Sequence, residues 1–321
     1  MQEMKIITGN ANPALAQAIA DHLDMPLTAA EVTHFADGEI RVKINESVRG
    51  CDIFLVQPTC PPSSENIMEL LILTDALKRA SARRIIAVVP YYGYARQEKK
   101  ASGREPITAK LIADLITVAG ANRIIVVDMH VPSIQGFFNL PVDHLPAGPI
   151  LADYLRRAGF ENENTVVVSP DVGGVGTARA LADRLKASLA IIAKRRPEAN
   201  QAEVMEVIGD LKGKRAVFVD DMIDTGGSLT VGAAAIAARG AAEVYACATH
   251  AVFSRDAAQR MEDSCLREIV VTDTIPLPPE KRTPKVKVLS VAPLLAEAIK
   301  RVHSDASVSS LFDRLWVEDK R

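Results

Sequence analysis

The sequence predicts an α/β fold built on largely parallel sheets, and three observations carry that prediction. Short β-branched runs alternate with longer segments of helical period. A unit of helix, Gly-Ala turn and apolar strand occurs twice: residues 108–130 read TAKLIADLITVAGANRIIVVDMH and residues 228–250 read SLTVGAAAIAARGAAEVYACATH. The stretch upstream repeats as well, with IIAVVPYYGYARQ in the place that AVFVDDMIDTGG takes in the second half. One helix–Gly–strand match is common in α/β proteins, but two in the same order point to duplication. The halves meet at the Pro/Gly cluster LPVDHLPAGP, so domains are expected at residues 1–146 and 147–321.

Taken in order, the runs KIIT (5–8), DIFLV (52–56), IIAVV (85–89) and IIVVD (124–128) predict the strands of the first half. TVVV (165–168), LAIIA (189–193), AVFV (216–219) and VYACA (244–248) predict those of the second. Helical spacing of apolar positions predicts helices over 11–23, 66–80, 108–119, 150–157, 177–185 and 228–239.

Composition narrows the classes. Of 321 residues, 48% are apolar, ample for a sizeable core and incompatible with a disordered chain. Against 40 acidic side chains stand 38 basic ones, a net charge of −2 that argues against general nucleic-acid or anionic-membrane binding. The uncharged stretches 129–142 and 225–238 are too short and too broken by Gly and Pro to span a bilayer. MQEMKIITGN lacks the charged-then-apolar layout of a signal peptide. Cys51, Cys60, Cys247 and Cys265 are far apart and form no CxxC pair, which fits buried thiols in a reducing cytosol. A cytoplasmic protein without nucleic-acid or membrane partners is expected.

The sharpest motif is VFVDDMIDTGGS, residues 217–228, where an apolar strand runs into Asp220, Asp221 and Asp224 and then into Thr225-Gly226-Gly227-Ser228 at a helix start. Successive backbone N–H groups and the helix N-terminal partial charge make an anion cradle there. The carboxylates do not suit a phosphate but do suit sugar hydroxyls, so the motif suggests a phosphorylated polyol. The plain alternative is a capped turn with Ser228 as N-cap. Phe35-Ala36-Asp37-Gly38-Glu39 offers an aromatic face and two carboxylates, or a simple turn between strands. Arg96 and Gln97 follow the strand ending at Val89, in a loop that can hydrogen-bond a nucleotide or merely face solvent. His130 in Asp128-Met129-His130 stands beyond a strand end, where ligand sites of open sheets collect, although many histidines there are structural. Asp171, in Ser169-Pro170-Asp171-Val172-Gly173-Gly174, suits a hard cation, and Gly173-Gly174 lets backbone amides approach a diphosphate; the string alone also reads as a turn. Lys194-Arg195-Arg196 is a basic cluster leaving a strand, a solvated face by default.

These strings resemble the ribose-phosphate pyrophosphokinase (phosphoribosyl pyrophosphate synthetase) family nearly end to end. KIITGNANPALAQAIA, FADGEI, SVRG, YGYARQ, ITAKLIADL, DMH with SIQGFF, SPDVGG, KRRPEAN, VDDMIDTGGS, DTIPL and SVSSLF occur in that order. The resemblance implies two tandem phosphoribosyltransferase-like domains, each a mostly parallel sheet flanked by helices, with the C-terminal tail packed back on the first. It implies transfer of the β,γ-diphosphate of ATP to the anomeric hydroxyl of ribose 5-phosphate. ATP would be bound by Phe35, Asp37, Gly38, Glu39, Arg96, Gln97 and His130, the first four reaching from a neighbouring subunit. Ribose 5-phosphate would lie on Asp220, Asp221, Asp224, Thr225, Gly226, Gly227, Ser228 and Arg196, and the diphosphate on Asp171, Gly173 and Gly174. Lys194 and Arg196 take the catalytic positions, and Mg2+ those of His130 and Asp171. Ser47, Arg49, Ser81, Lys100, Arg104, Ser307 and Ser309 match an inter-subunit site for activating inorganic phosphate and inhibiting ADP in a homohexamer. Glu98, Gly103 and Gly176-Thr177 depart from the family pattern beside these contacts. Two rival readings are a phosphoribosyltransferase, which consumes the product, and a non-catalytic associated subunit; the extra first half and the uninterrupted Lys194-Arg195-Arg196 speak against them.

Overall fold

The structure, a computed structural model, describes residues 3–195, 204–309 and 311, with backbone alone at 194, 195, 204 and 205. It divides into two compact units, Met1–Pro146 with Thr274–Pro276 and Ser290–Arg321, and Ala147–Asp273 with Leu277–Leu289.

The first unit begins with β1 (Met4–Thr8) and α1 (Pro13–His22). Asn12 caps α1 by accepting from Leu15 N at 3.2 Å, and Pro13 supplies a pre-set φ at the first helical position. An antiparallel hairpin follows, β2 (Ala30–His34) with β3 (Ile40–Ile44). Then come β4 (Asp52–Val56), α2 (Ser63–Arg79), β5 (Arg84–Val89), α3 (Thr108–Ala119), β6 (Arg123–Val127), a 3-10 turn at Pro132–Phe137 and β7 (Val142–Leu145). The sheet order is β1-β4-β5-β6-β7, every pair parallel. Every residue of β4 is buried, as expected of a parallel strand covered on both faces. Leu70, Leu73 and Leu77 of α2 and Ala109, Ile112, Ala113 and Ile116 of α3 fill one side of this core.

The second unit runs α4 (Gly148–Arg157), β8 (Thr165–Ser169), α5 (Val175–Leu185), β9 (Ser188–Arg195), β10 (Val204–Ile208), β11 (Arg215–Ile223), α6 (Gly227–Ala238) and β12 (Glu243–Ala251). It continues with α7 (Ala257–Glu262), β13 (Leu266–Thr272) and β14 (Val286–Leu289). Its order is β10-β9-β8-β11-β12-β13-β14, with β10 antiparallel and the other pairs parallel. After β8 the chain moves one way along the sheet, to β9; after β11 it moves the other way, to β12. The order therefore reverses between β8 and β11, which opens a crevice beyond their C-terminal ends. The first unit reverses in the same way: after β1 the chain bridges to one edge of that strand, Leu27 beside Ile6 in parallel, before β4 pairs on the other.

The last helix, α8 (Ala292–His303), belongs to the first unit and packs on α1. Asp52, wholly buried, ties it down: the carboxylate accepts from Arg83 at 2.6 Å and Arg84 at 2.5 Å and meets His303 Nδ1 at 3.2 Å. Burial works against ionisation of Asp52, but the Arg84 and Arg83 guanidiniums outweigh it and hold the carboxyl well below its ordinary range.

The repeated unit is β5–α3–β6 in one half and β11–α6–β12 in the other, each a parallel pair joined across a helix. The two histidines differ, however. His130 lies exposed beyond β6, whereas His250 is buried inside the longer β12. Strands β2, β3, β7, β10, β13 and β14 and helices α7 and α8 join the elements read from the sequence. Of the four cysteines, Cys265 is exposed rather than buried, because it follows the short helix α7 instead of lying in a strand. No helix among the described residues is long and apolar enough to cross a membrane.

Candidate active site

The crevice of the second unit gathers the chemistry. β11 buries Ala216–Val219 and again Met222 and Ile223, and between them brings the half-buried Asp220 and Asp221 toward its C-terminal end. Gly226 caps α6 at φ 71, the left-handed region that glycine enters without strain. Ser228, which the sequence offers as N-cap, lies instead inside the helix, and no side chain caps it. The first intrahelical bond there runs from Thr230 N to Gly226 O at 2.9 Å, so the amides of Gly227, Ser228 and Leu229 lie in the uncapped first turn, as an anion requires.

Across the crevice, β8 leads into Ser169–Gly174. The Asp171 carboxylate accepts from Gly174 N at 2.8 Å, and Ser169 Oγ donates to Asp171 O at 2.7 Å, which folds the loop back over the start of α5. Burial pushes Asp220 up to about 7, helped by its Asp221 neighbour and by the Asp171 charge. The carboxylates of Asp221 and Asp171 thus both add to the cost of ionising Asp220, a field that favours hydroxyl donors or a cation. No three His, Cys, Asp or Glu side chains among the described residues form a metal cage. That donor set fits Mg2+, which keeps its waters and is held by one or two carboxylates together with substrate phosphates.

Lys194 and Arg195 extend β9 two residues past the strand read from the sequence, the Lys194 backbone paired with Met205 of β10. The Lys194 side chain and all of Arg196 lie outside the described residues.

In the first unit, Phe35–Glu39 forms the tip of the β2–β3 hairpin, closed by Phe35 N to Glu39 O at 2.8 Å, with Gly38 at φ 93. The ring of Phe35 is 53% exposed, with the Arg41 guanidinium 6.0 Å from its centroid, and Asp37 Oδ1 accepts from Glu39 N. The tip thus presents an aromatic face and two carboxylates outward. Arg96, Gln97 and His130 are borne by other segments, past the C-terminal ends of the adjacent strands β5 and β6. Gln97 is anchored by Thr108 Oγ1, which donates to its Oε1 at 2.6 Å.

The anion-site candidates fall into two groups. Ser47, Arg49 and Ser81 precede β4 and β5, where Gly50 N donates to Ser81 O at 2.9 Å, and Ser307 and Ser309 follow α8 with hydroxyls 2.8 Å apart. Lys100 and Arg104 follow β5, at the other end of that strand.

Comparison with known proteins accords with this arrangement. Residues 4–120 match the family model described as the N-terminal domain of ribose phosphate pyrophosphokinase, and residues 196–313 match the phosphoribosyl synthetase-associated domain. A ribose-phosphate pyrophosphokinase of Caldanaerobacter subterraneus is 59% identical over 309 residues, 96% of this chain and 98% of that one. That of Bacillus subtilis is 55% identical over 311 residues, covering 97% and 98%. The crystal structure of phosphoribosylpyrophosphate synthetase from Mycobacterium smegmatis superposes with a TM-score of 0.90 at 46% identity, covering 95% of this chain and 100% of that one. With its fold and nearly its whole length matched, the chain belongs to the ribose-phosphate pyrophosphokinase family.

Proposed function

We propose that this enzyme transfers the β,γ-diphosphate of ATP to the anomeric hydroxyl of D-ribose 5-phosphate, releasing AMP and giving 5-phosphoribosyl 1-diphosphate for nucleotide, histidine and tryptophan biosynthesis. The supporting observation is the crevice between β8 and β11, flanked by an uncapped helix start on one side and the Asp171 loop on the other. The amides of Thr225–Ser228 hold the 5-phosphate, and Asp220, Asp221 and Asp224 accept from the ribose hydroxyls. The amides of Gly173 and Gly174 approach the diphosphate. The anomeric oxygen attacks the β-phosphorus in line and its proton passes to water; the new P–O bond forms as the bond from the β-phosphorus to the oxygen bridging it to the α-phosphate breaks, and AMP leaves. Lys194 and Arg196 place positive charge over the equatorial oxygens, where it builds most in the transition state. Mg2+, when bound, neutralises phosphate charge, with Asp171 and His130 as its protein-side partners. Phe35 stacks on the adenine while Asp37, Gly38, Glu39, Arg96, Gln97 and His130 bind the rest of the nucleotide.

The working form we propose is a cytoplasmic homohexamer, activated by inorganic phosphate and inhibited by ADP at Ser47, Arg49, Ser81, Lys100, Arg104, Ser307 and Ser309. The separation of those residues into two groups supports a site shared between copies. So does α3, which is apolar on two sides: opposite its buried face, Leu111, Leu115 and Val118 are exposed, Val118 to 77%.

AMP release from ATP and ribose 5-phosphate, measured with Mg2+ and no nucleobase, with and without inorganic phosphate, tests the reaction. AMP and phosphoribosyl diphosphate are expected in equal amounts; strict dependence on a base without AMP release would instead indicate a transferase.

The raised Asp220 gives a pH signature. Because its folded pKa lies above the ordinary 3.8, its ionisation costs stability progressively as pH rises from that value through about 7 and no further above it. Acceptance from ribose hydroxyls needs the ionised form. The kcat/KM for ribose 5-phosphate is therefore expected to fall about tenfold per pH unit below neutrality. Asp221→Asn removes a neighbouring charge and should move that limb to lower pH; an unshifted limb would detach it from Asp220.

A further inference from the structure

The hairpin carrying Phe35–Glu39 is held to the parallel sheet through a polar cluster at the C-terminal ends of β1 and β4. At its centre is Glu69 of α2, only 2% exposed. Its carboxylate accepts from Asn10 N at 2.5 Å, from Asn10 Nδ2 at 2.9 Å and from Gln57 Nε2 at 2.8 Å. Gln57, fully buried, in turn accepts from Ala11 N at 3.2 Å and donates to Asn66 O at 3.3 Å. The turn after β1 is thereby clamped, and at Gly9 any Cβ would collide with the Gln57 and Glu69 side-chain oxygens. The clamped residue reaches outward as well: Asn10 Nδ2 donates to Val32 O, in the middle of β2, at 3.1 Å.

Burying a carboxylate among uncharged groups is costly unless its lone pairs are filled. Here three donors converge on Glu69, and a carboxylate is the side chain that meets donors with acceptors alone. A glutamine would turn an NH2 toward another donor. The open end of the hairpin is fixed separately, by Glu46, which accepts from Ala29 N at 2.8 Å and from Lys5 Nζ at 3.3 Å. At the turn end of β2, His34 Nε2 meets Glu65 at 3.1 Å in an exposed pair, of little strength in water. Asn10 thus adds a directional hydrogen bond to the middle of an arm whose inner face, through Val32, Val42 and Ile44, packs on the core and whose tip is exposed.

We infer that Glu69, Gln57 and Asn10 are positioning residues for recognition of the purine nucleotide. They lock the turn after β1 so that Asn10 sets the angle of β2, and with it the Phe35–Glu39 tip. The inference rests on the reading of that tip as an adenine contact.

Kinetics of full-length Asn10→Ala, Glu69→Gln and Phe35→Ala, with melting curves, test it. Asn10 is exposed, so its alanine variant should fold. Asn10→Ala is expected to raise the KM for ATP about fivefold to tenfold, leaving kcat and the KM for ribose 5-phosphate within about twofold. Glu69→Gln should move the ATP KM in the same direction, and the double variant should show less than the summed effect. A lowered melting temperature with an unchanged ATP KM in Asn10→Ala, while Phe35→Ala raises that KM, would overturn the positioning role and leave the adenine contact standing. An unchanged ATP KM in Phe35→Ala would remove the adenine contact and the inference together.

Discussion

Lys194→Ala is expected to lower kcat by about a thousandfold or more, while the melting temperature and the oligomer size stay as in the parent. A preorganised cation aimed at charge that develops only in the transition state contributes mainly to kcat, and deleting one donor of this kind costs about 10²–10³. Lys194 adds a full positive charge, so its loss should lie at the upper end or beyond. The fold is insulated from the change because the residue's backbone is held in the β9–β10 ladder, opposite Met205. Single-turnover AMP release by the purified variant is the measurement. An unaffected rate would mean either that the chain serves an assembly role or that another segment carries the transfer.

Gly226→Val should reduce kcat/KM for ribose 5-phosphate by about two orders of magnitude, since displacing a phosphate cradle by 1 Å has that scale of effect. Two physical changes combine. At φ 71 a β-branched residue is strained, by about 1–2 kcal/mol. Its Cβ would also stand 3.4 Å from Met261 Cγ of α7, with further methyls to place. Relief requires the helix start to rotate, and the amides of Thr225–Ser228 rotate with it. The ATP KM should change by less than about twofold, because the nucleotide contacts lie on other elements. Gly213→Val supplies the control: Gly213 has φ 73 but open space around it, so stability should fall without loss of sugar binding. Equal losses in both variants would assign the effect to general destabilisation.

The strands that matter most were legible because a buried parallel strand has only one composition open to it, apolar and β-branched. DIFLV and AVFV could hardly be anything else. The VDDMIDTGGS string was legible for a different reason, namely that three carboxylates before a double glycine serve no packing purpose. What escaped was set by tertiary contact. The β2 and β3 strands are half exposed and short, and β13 and β14 complete a sheet whose extent no local pattern dictates. The helix start escaped too: Ser228 is a good cap by type, yet Gly226 takes the position because the chain turns through the left-handed region one residue before the helix. Asn10 stands 59 residues before Glu69 and Gln57 12 before it, on three different segments, so only folding brings them together. The reversal of strand order, present in both halves, lies in the connections rather than in either repeated string.

The outward side of α3 has a consequence for how the enzyme behaves in a test tube. A helix that offers leucine and valine to water on its free side gains by losing that water to a second copy. Under the hexamer proposal, specific activity becomes a property of how much enzyme is present, falling on dilution and returning on concentration. Rate constants measured at nanomolar and micromolar enzyme would then describe different particles.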